Sequence, residues 1–288
     1  MAPGAKTNDL LYISNYDADT VAVYSYPQDK LVGTLTGFHE PDGICADKQG
    51  DVWIVNNEES QSSEDVVEYK HGGEKPIATV YDPGEIPVSC SVDPMTGNLA
   101  VTNISTYSSG PGSVAIYAHA KGSAVLYPVT KMLEVYFCGF DDKGNLFVDG
   151  VGSHGFLFAE LPKGQKTFTS ITLKGGTIIY PGDVQWDGKH VAVGDQEYQL
   201  VGSPREYDSA IYQTTGAGGK IVGTTVLAGS HDVVGFWIAG NVVIGGDRSP
   251  YGYSVPDDVE FYKYPAGGKP TKTLNKGFDQ PFGVAISQ

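Results

Sequence analysis

Short apolar runs separated by turns fill the chain, and the runs recur in a fixed order. One run ends in an aromatic residue six times, at Tyr24, Tyr69, Tyr117, Phe158, Tyr212 and Tyr262. By subtraction these aromatics lie 45, 48, 41, 54 and 50 positions apart. A second run precedes each of them. It opens at Leu10 in the first copy and, in the others, at Gly50-Asp51, Gly97-Asn98, Gly144-Asn145, Gly188-Lys189 and Gly240-Asn241. Gly followed by Asn or Asp is hairpin chemistry, because these residues tolerate positive φ.

A third run precedes the second. Pro opens it at Pro41, Pro87, Pro181 and Pro281, and 135–141 and 233–239 are copies without Pro. Small residues, Gly43, Ser89, Gly235 and Gly283, occupy one column of this run, and Phe137 and Asp183 break it. Small residues suit an innermost strand where backbones crowd together. A fourth, polar run follows each aromatic, as in 72–80 and 267–274. Its Gly, Lys and Pro suit an outer edge that must resist pairing with other sheets.

A repeat of 40–50 residues carrying four strands predicts a propeller blade. The fold class is therefore all-β: a six-bladed β-propeller of four-stranded antiparallel blades over residues 10–288, after a short tail at 1–9. The chain starts at a second strand and ends at an inner one. Residues 284–287 are thus expected to pair beside 11–14 and close the ring, which removes an open sheet edge. No helical period of useful length interrupts the pattern.

The run Pro41-Asp42-Gly43-Ile44-Cys45-Ala46-Asp47, followed by Gly50-Asp51-Val52-Trp53-Ile54-Val55-Asn56, resembles the NHL repeat. It is similar also to YVTN-type propellers and to the regucalcin/gluconolactonase superfamily. The resemblance spans essentially the whole chain. It implies the fold, whereas these families include lactonases, lyases, scaffolds and proteins of unknown role. Regucalcin-like lactonases hold one divalent ion on the axis with a Glu, Asn and Asp set. Their Pro-Asn-Gly phrase reads Pro41-Asp42-Gly43 here, so no ligand is carried over from them.

The net charge of −15 and pI near 4.6 change the picture of partners. Phosphate binding needs clustered Lys and Arg, so neither nucleic acid nor an anionic membrane is expected. A small molecule, glycan or peptide is, bound to a monomer. Residues 1–6 lack the apolar core of a signal peptide. This fits a cytoplasmic start, or a secreted or periplasmic protein whose signal has been removed. Cys45, Cys90 and Cys138 form no CxxC, and their odd number argues against a disulfide framework. They are expected to be buried free thiols. Trp53, Trp186 and Trp237 lie in predicted strands and are read as packing between blades.

Ligand sites usually lie at the mouth of the channel, where the loops entering inner strands and leaving second strands meet. The residues just before the inner strands include acids in alternate repeats: Glu40, Glu134 and Asp232. Six blades would place them on a three-fold ring, able to hold Ca²⁺ or another divalent cation. The plainer reading is solvated loop acids. His39, Glu40, Glu58, Tyr180, Asp195, His231, Tyr251 and Tyr253 are the candidate ligand-binding residues, since tyrosine offers flat contact area and a hydroxyl. Asn15, Asn56 and Asn103 alternate with Gly150, Gly194 and Gly246 at the ends of second strands. Asn and Gly share tolerance of the left-handed conformation, so the column is read as turn chemistry. Ser153-His154 and Ser230-His231 are sequence neighbours, but a catalytic triad needs spatial geometry. Three functions result, one of them a pure interaction scaffold. The first is a binding propeller with an acidic, Tyr-bearing mouth; the alternative is a metal-dependent lactonase or lyase.

Overall fold

A computed structural model describes residues 1–57, 65–82, 86–104, 111–200, 207–250 and 255–288. Glu58, Tyr251 and Tyr253 lie outside the described residues. Among those described, helix is limited to three short 3₁₀ turns, Pro3–Lys6, Ala118–Ala120 and Gly216–Gly218.

The strands follow the repeat. Leu10–Asn15 (β1), Thr20–Ser25 (β2) and Lys30–Thr36 (β3) come first, then Pro41–Ala46 (β4), Val52–Asn56 (β5), Asp65–Tyr69 (β6) and Pro76–Tyr81 (β7). Ile86–Val92 (β8), Leu99–Ile104 (β9), Ser113–Tyr117 (β10) and Val125–Pro128 (β11) follow. Next are Glu134–Phe140 (β12), Leu146–Gly152 (β13), Gly155–Leu161 (β14) and Thr169–Ile171 (β15). Pro181–Trp186 (β16), Val191–Leu200 (β17), Tyr207–Thr214 (β18) and Ile221–Leu227 (β19) form a further set. Val233–Ala239 (β20), Val242–Asp247 (β21), Asp258–Lys263 (β22), Lys272–Leu274 (β23) and Pro281–Ser287 (β24) complete the chain.

Four sheets have four antiparallel strands each: β24-β1-β2-β3, β4-β5-β6-β7, β16-β17-β18-β19 and β20-β21-β22-β23. The other eight strands form one sheet rather than two separate ones. β8 to β11 pair in order and β12 to β15 pair in order, but Glu134 at the start of β12 also pairs with Ile104 at the end of β9. The last strand completes the first sheet, with Leu11 opposite Ile286, Tyr12 opposite Ala285 and Ile13 opposite Val284. The inner strands β24, β4, β8, β12, β16 and β20 touch one another in that order, and β20 returns to β24. The arrangement is a propeller-like ring of antiparallel sheets.

The repeated aromatic of each third strand is buried in every copy. Most copies are Tyr rather than Phe, because the ring fills the core while the hydroxyl reaches a partner. Tyr117 donates to the Tyr81 carbonyl (3.2 Å) and Tyr212 to that of Thr177 (3.0 Å). The small column on the inner strands has a steric cause. A Cβ on Gly43 would come within 2.7 Å of Ser89 Cα, and one on Gly235 within 2.3 Å of the Phe282 carbonyl. Gly50 and Gly144 open their hairpins at φ 79° and 82°, as their sequence implies.

Two expectations are corrected. Cys45 and Cys90 form a disulfide, and only Cys138 is a free, buried thiol. The repeat register explains the pairing. Ile44 lies opposite Ile54, as Cys90 lies opposite Val101 and Cys138 opposite Val148. Cys45 is therefore one step out of the Cys90 column and points to the other face of its strand. It faces the following sheet, while Cys90 faces back, and both join the buried cluster around Trp53 and Val101. The Asn and Gly column is also not left-handed: none of its members has positive φ. Gly150, Gly194 and Gly246 stand where a Cβ would strike the backbone of the inner strand, at Glu134, Gly182 and Pro281.

The same register yields two predictions. Ser91 follows Cys90 and so faces Cys138 as Cys45 faces Cys90; both line one cavity. Ser91→Cys is expected to oxidise to a second disulfide, seen as loss of the Cys138 thiol in a titration under denaturing conditions. Replacing Cys45 and Cys90 together by Ala should lower unfolding free energy by about 4 kcal/mol, the loop-entropy value for a separation of 45 residues. Denaturant melts of the double variant check this.

Candidate functional site

The candidate site is the mouth of the ring, where the chain enters inner strands and leaves second strands. Its floor is closed by side chains from the inner strands: Val88, Phe137, Val234 and Phe282, all buried. Phe137 of β12 stacks on Phe282 of β24 with centroids 6.1 Å apart, and these strands belong to sheets that are not neighbours in the ring. The plug separates the mouth from a cavity opening on the opposite face.

Arg248 lies over this plug. Its guanidinium carbon is 5.8 Å from the Phe282 ring centroid, and Nε donates to Asp232 Oδ2 at 2.7 Å. Acids surround it. Asp17 and Asp42 both feel its charge, and Asp42 is buried, with its carboxyl pushed well above the usual range by desolvation. The Asn57 amide donates to Asp42 at 3.4 Å.

The expected site residues take the following places. The His39 N–H donates to Asn56 Oδ1 (2.7 Å), and the His39 ring lies 3.2 Å from the Asn57 carbonyl. Glu40 sits at φ 47°; its carboxylate accepts from the Tyr16 hydroxyl (2.7 Å). Glu134 accepts from the Tyr136 hydroxyl (2.8 Å), which lies 3.1 Å from the Tyr180 hydroxyl. Asp195 is buried and holds the N–H groups of Ile179 and Tyr180, each at 3.1 Å. Asp247 likewise accepts from the N–H groups of His231 (2.7 Å) and Asp232 (2.8 Å). Asn56, Asp195 and Asp247 are thus one column, the last residue paired to the start of an inner strand, and its side chain clamps the incoming chain. In these three residues the side-chain acceptor, rather than turn conformation, is what Asn and Asp share. It was legible in the Asn–Asp exchange once the register was known.

Glu40, Glu134 and Asp232 each hold a different partner: Tyr16, Tyr136 and Arg248. Among the described residues, the acids whose oxygens converge within 4.8 Å are other sets. Asp247, Asp258 and Glu260 form one, between β21 and β22. Asp47, Asp51 and Glu68 form the second, on the opposite face. Asp47 belongs to a recurring turn in which Asp47, Asp93, Asp141 and Asp187 accept the N–H two residues on, at 2.8 to 2.9 Å. Such Asx turns are structural.

His231 Nδ1 lies 2.9 Å from Asp247 Oδ2, and this hydrogen bond raises the imidazole pKa. Ser230 is no nucleophile for it, because its hydroxyl donates to the Leu227 carbonyl (2.8 Å). Desolvation raises Asp258 to about 6, and Glu260 and Asp183 to about 7.

A carboxyl raised by folding binds its proton more tightly in the native state than in the unfolded chain. Between its unfolded and folded pKa the native state therefore carries more protons, and stability falls as pH rises. Raised His231 acts in the same direction, since its stabilisation is lost above its folded pKa. The protein is expected to melt at a higher temperature near pH 5 than near pH 8, with the change spread from about pH 4 to pH 7. Calorimetry across that range tests it, and Asp183→Asn with Glu260→Gln should flatten the slope.

No family model and no curated protein matches this chain. Solved structures do. A chain of a nidogen/laminin complex is similar with a TM-score of 0.71 at 11% identity, covering 98% of this chain and 99% of that one. A protein of unknown function from Bacteroides caccae is similar with a TM-score of 0.71 at 14% identity, covering 98% and 100%. At these identities the likeness shows the fold alone, and that fold is a β-propeller.

Proposed function

We propose that the protein is a six-bladed propeller that binds a peptide or protein segment, or a glycan, on its acidic mouth. Counting the eight-stranded sheet as two blades gives six. Buried clusters at successive interfaces support this count, since one joins β1 to β5, another β5 to β9, and another β9 to β13. The single observation that carries the binding reading is the closed floor. Among the described residues, Arg248 over stacked Phe282 and Phe137 closes the axis beneath the mouth. A closed floor bordered by tyrosine hydroxyls and carboxylates suits a ligand bound at the surface. The nidogen/laminin neighbour is a chain of this fold in a protein complex. With net charge −15, a basic segment is favoured. The buried disulfide supports a secreted or periplasmic setting.

The second reading is a lactonase or lyase with a divalent ion on Glu40, Glu134 and Asp232. Arg248 opposes it, because a guanidinium already paired to Asp232 repels a second cation there. Peptide and glycan arrays followed by titration calorimetry separate the two. A basic peptide is expected to bind, with affinity reduced about tenfold, or 1.4 kcal/mol, in the Glu40→Gln, Tyr180→Ala double variant. Silent arrays together with saturable Ca²⁺ binding and chelator-sensitive lactone hydrolysis would reverse the assignment.

A further inference from the structure

Below the plug, the inner strands enclose a cavity of about 210 Å³. It opens on the face opposite the mouth, where Phe140 and Trp186 end their strands. Trp186, Trp237 and Phe140 are half-buried and form its walls, with Phe236 behind them. Trp186 and Trp237 thus line the cavity and also pack against buried clusters between sheets. At the inner end stands Asp183, the acid that breaks the small-residue column.

Among the described residues Asp183 has no ion-pair partner. Its oxygens accept from the N–H groups of Val184 (2.8 Å) and Phe236 (3.3 Å), which leaves further lone pairs open. Among the described residues no Lys, Arg or His lines the cavity. The titratable groups around it are Asp149 from β13 and the Cys138 thiol from β12. Both are buried and pushed toward their neutral forms by desolvation. From β20 it meets only the Phe236 N–H.

We infer that this cavity binds a small organic ammonium ion, with the Asp183 carboxylate as counter-charge and the Trp186, Trp237 and Phe140 rings as walls. A ring-lined cavity with one carboxylate matches a methylated or alkyl ammonium, which is stabilised both by charge and by aromatic faces. One carboxylate is too few oxygen ligands for Ca²⁺ or Mg²⁺. The size also fits, since a cavity of about 150 Å³ already admits benzene. Among the described residues, the site shares none with the mouth.

Choline is the probe, with its neutral isostere, in which carbon replaces the quaternary nitrogen, as control. Choline is expected to saturate a change in tryptophan fluorescence, and the isostere to bind roughly tenfold more weakly or worse. Asp183→Asn should lose roughly tenfold or more in choline affinity, and Trp237→Leu a smaller factor. If Asp183→Asn does not fold, the native protein decides by pH. Choline keeps its charge, so binding should be at least about tenfold weaker near pH 5 than near pH 8, as Asp183 takes up its proton. Equal binding of choline and isostere, binding independent of pH, absence of saturation at millimolar choline, or displacement of choline by Ca²⁺ at stoichiometric levels would each overturn the inference.

Discussion

Backbone crowding at the axis governs this protein. The inner strands β24, β4, β8, β12, β16 and β20 approach so closely that a single added Cβ on Gly43, Gly235 or Gly283 would overlap the next backbone. Close approach lets each sheet bury its apolar face on the next, which supplies the core. It also leaves so little room at the centre that any larger side chain there has a consequence. Phe137 and Asp183 are those side chains. One meets Phe282 and closes the axis, and the other places a carboxylate in the space beneath.

The closed axis divides the chemistry of the two faces. On the mouth side, acids and hydroxyls are already paired: Glu40 with Tyr16, Glu134 with Tyr136, Asp232 with Arg248. Such pairs hold side chains in place at little net cost. On the other side, Asp183 faces aromatic walls without a cation. Desolvation there raises its pKa rather than a neighbour lowering it. The same desolvation acts on Asp42 and Asp149 and pushes both carboxyls well above their usual range.

The strands, their order within each repeat and the pairing of the chain ends were legible because they depend on short-range pattern. Alternation sets which side chains face a neighbour, and Gly-Asp or Gly-Asn marks a hairpin wherever it stands. The candidate site was legible only in part. The sequence offered Glu40, Glu134 and Asp232 as acids at the entry to inner strands, yet said nothing of the hydroxyl or guanidinium each would meet. The role of Asn56 as a clamp for the His39 N–H was hidden because Asp195 and Asp247 do the same work one position later than the glycines first aligned with it.

By itself, then, the sequence determined a ring of antiparallel sheets with small residues innermost and buried aromatics at the third strands. Those features follow from periodicity and turn chemistry within about ten residues. Only the tertiary structure decided which neighbours meet across sheets. The Cys45–Cys90 disulfide turns on a one-residue offset between two inner strands. The Phe137–Phe282 plug joins strands far apart in the chain, and the cavity holding Asp183 exists only once the ring is assembled. These contacts depend on relative register and on distance across the axis, and no local pattern encodes either.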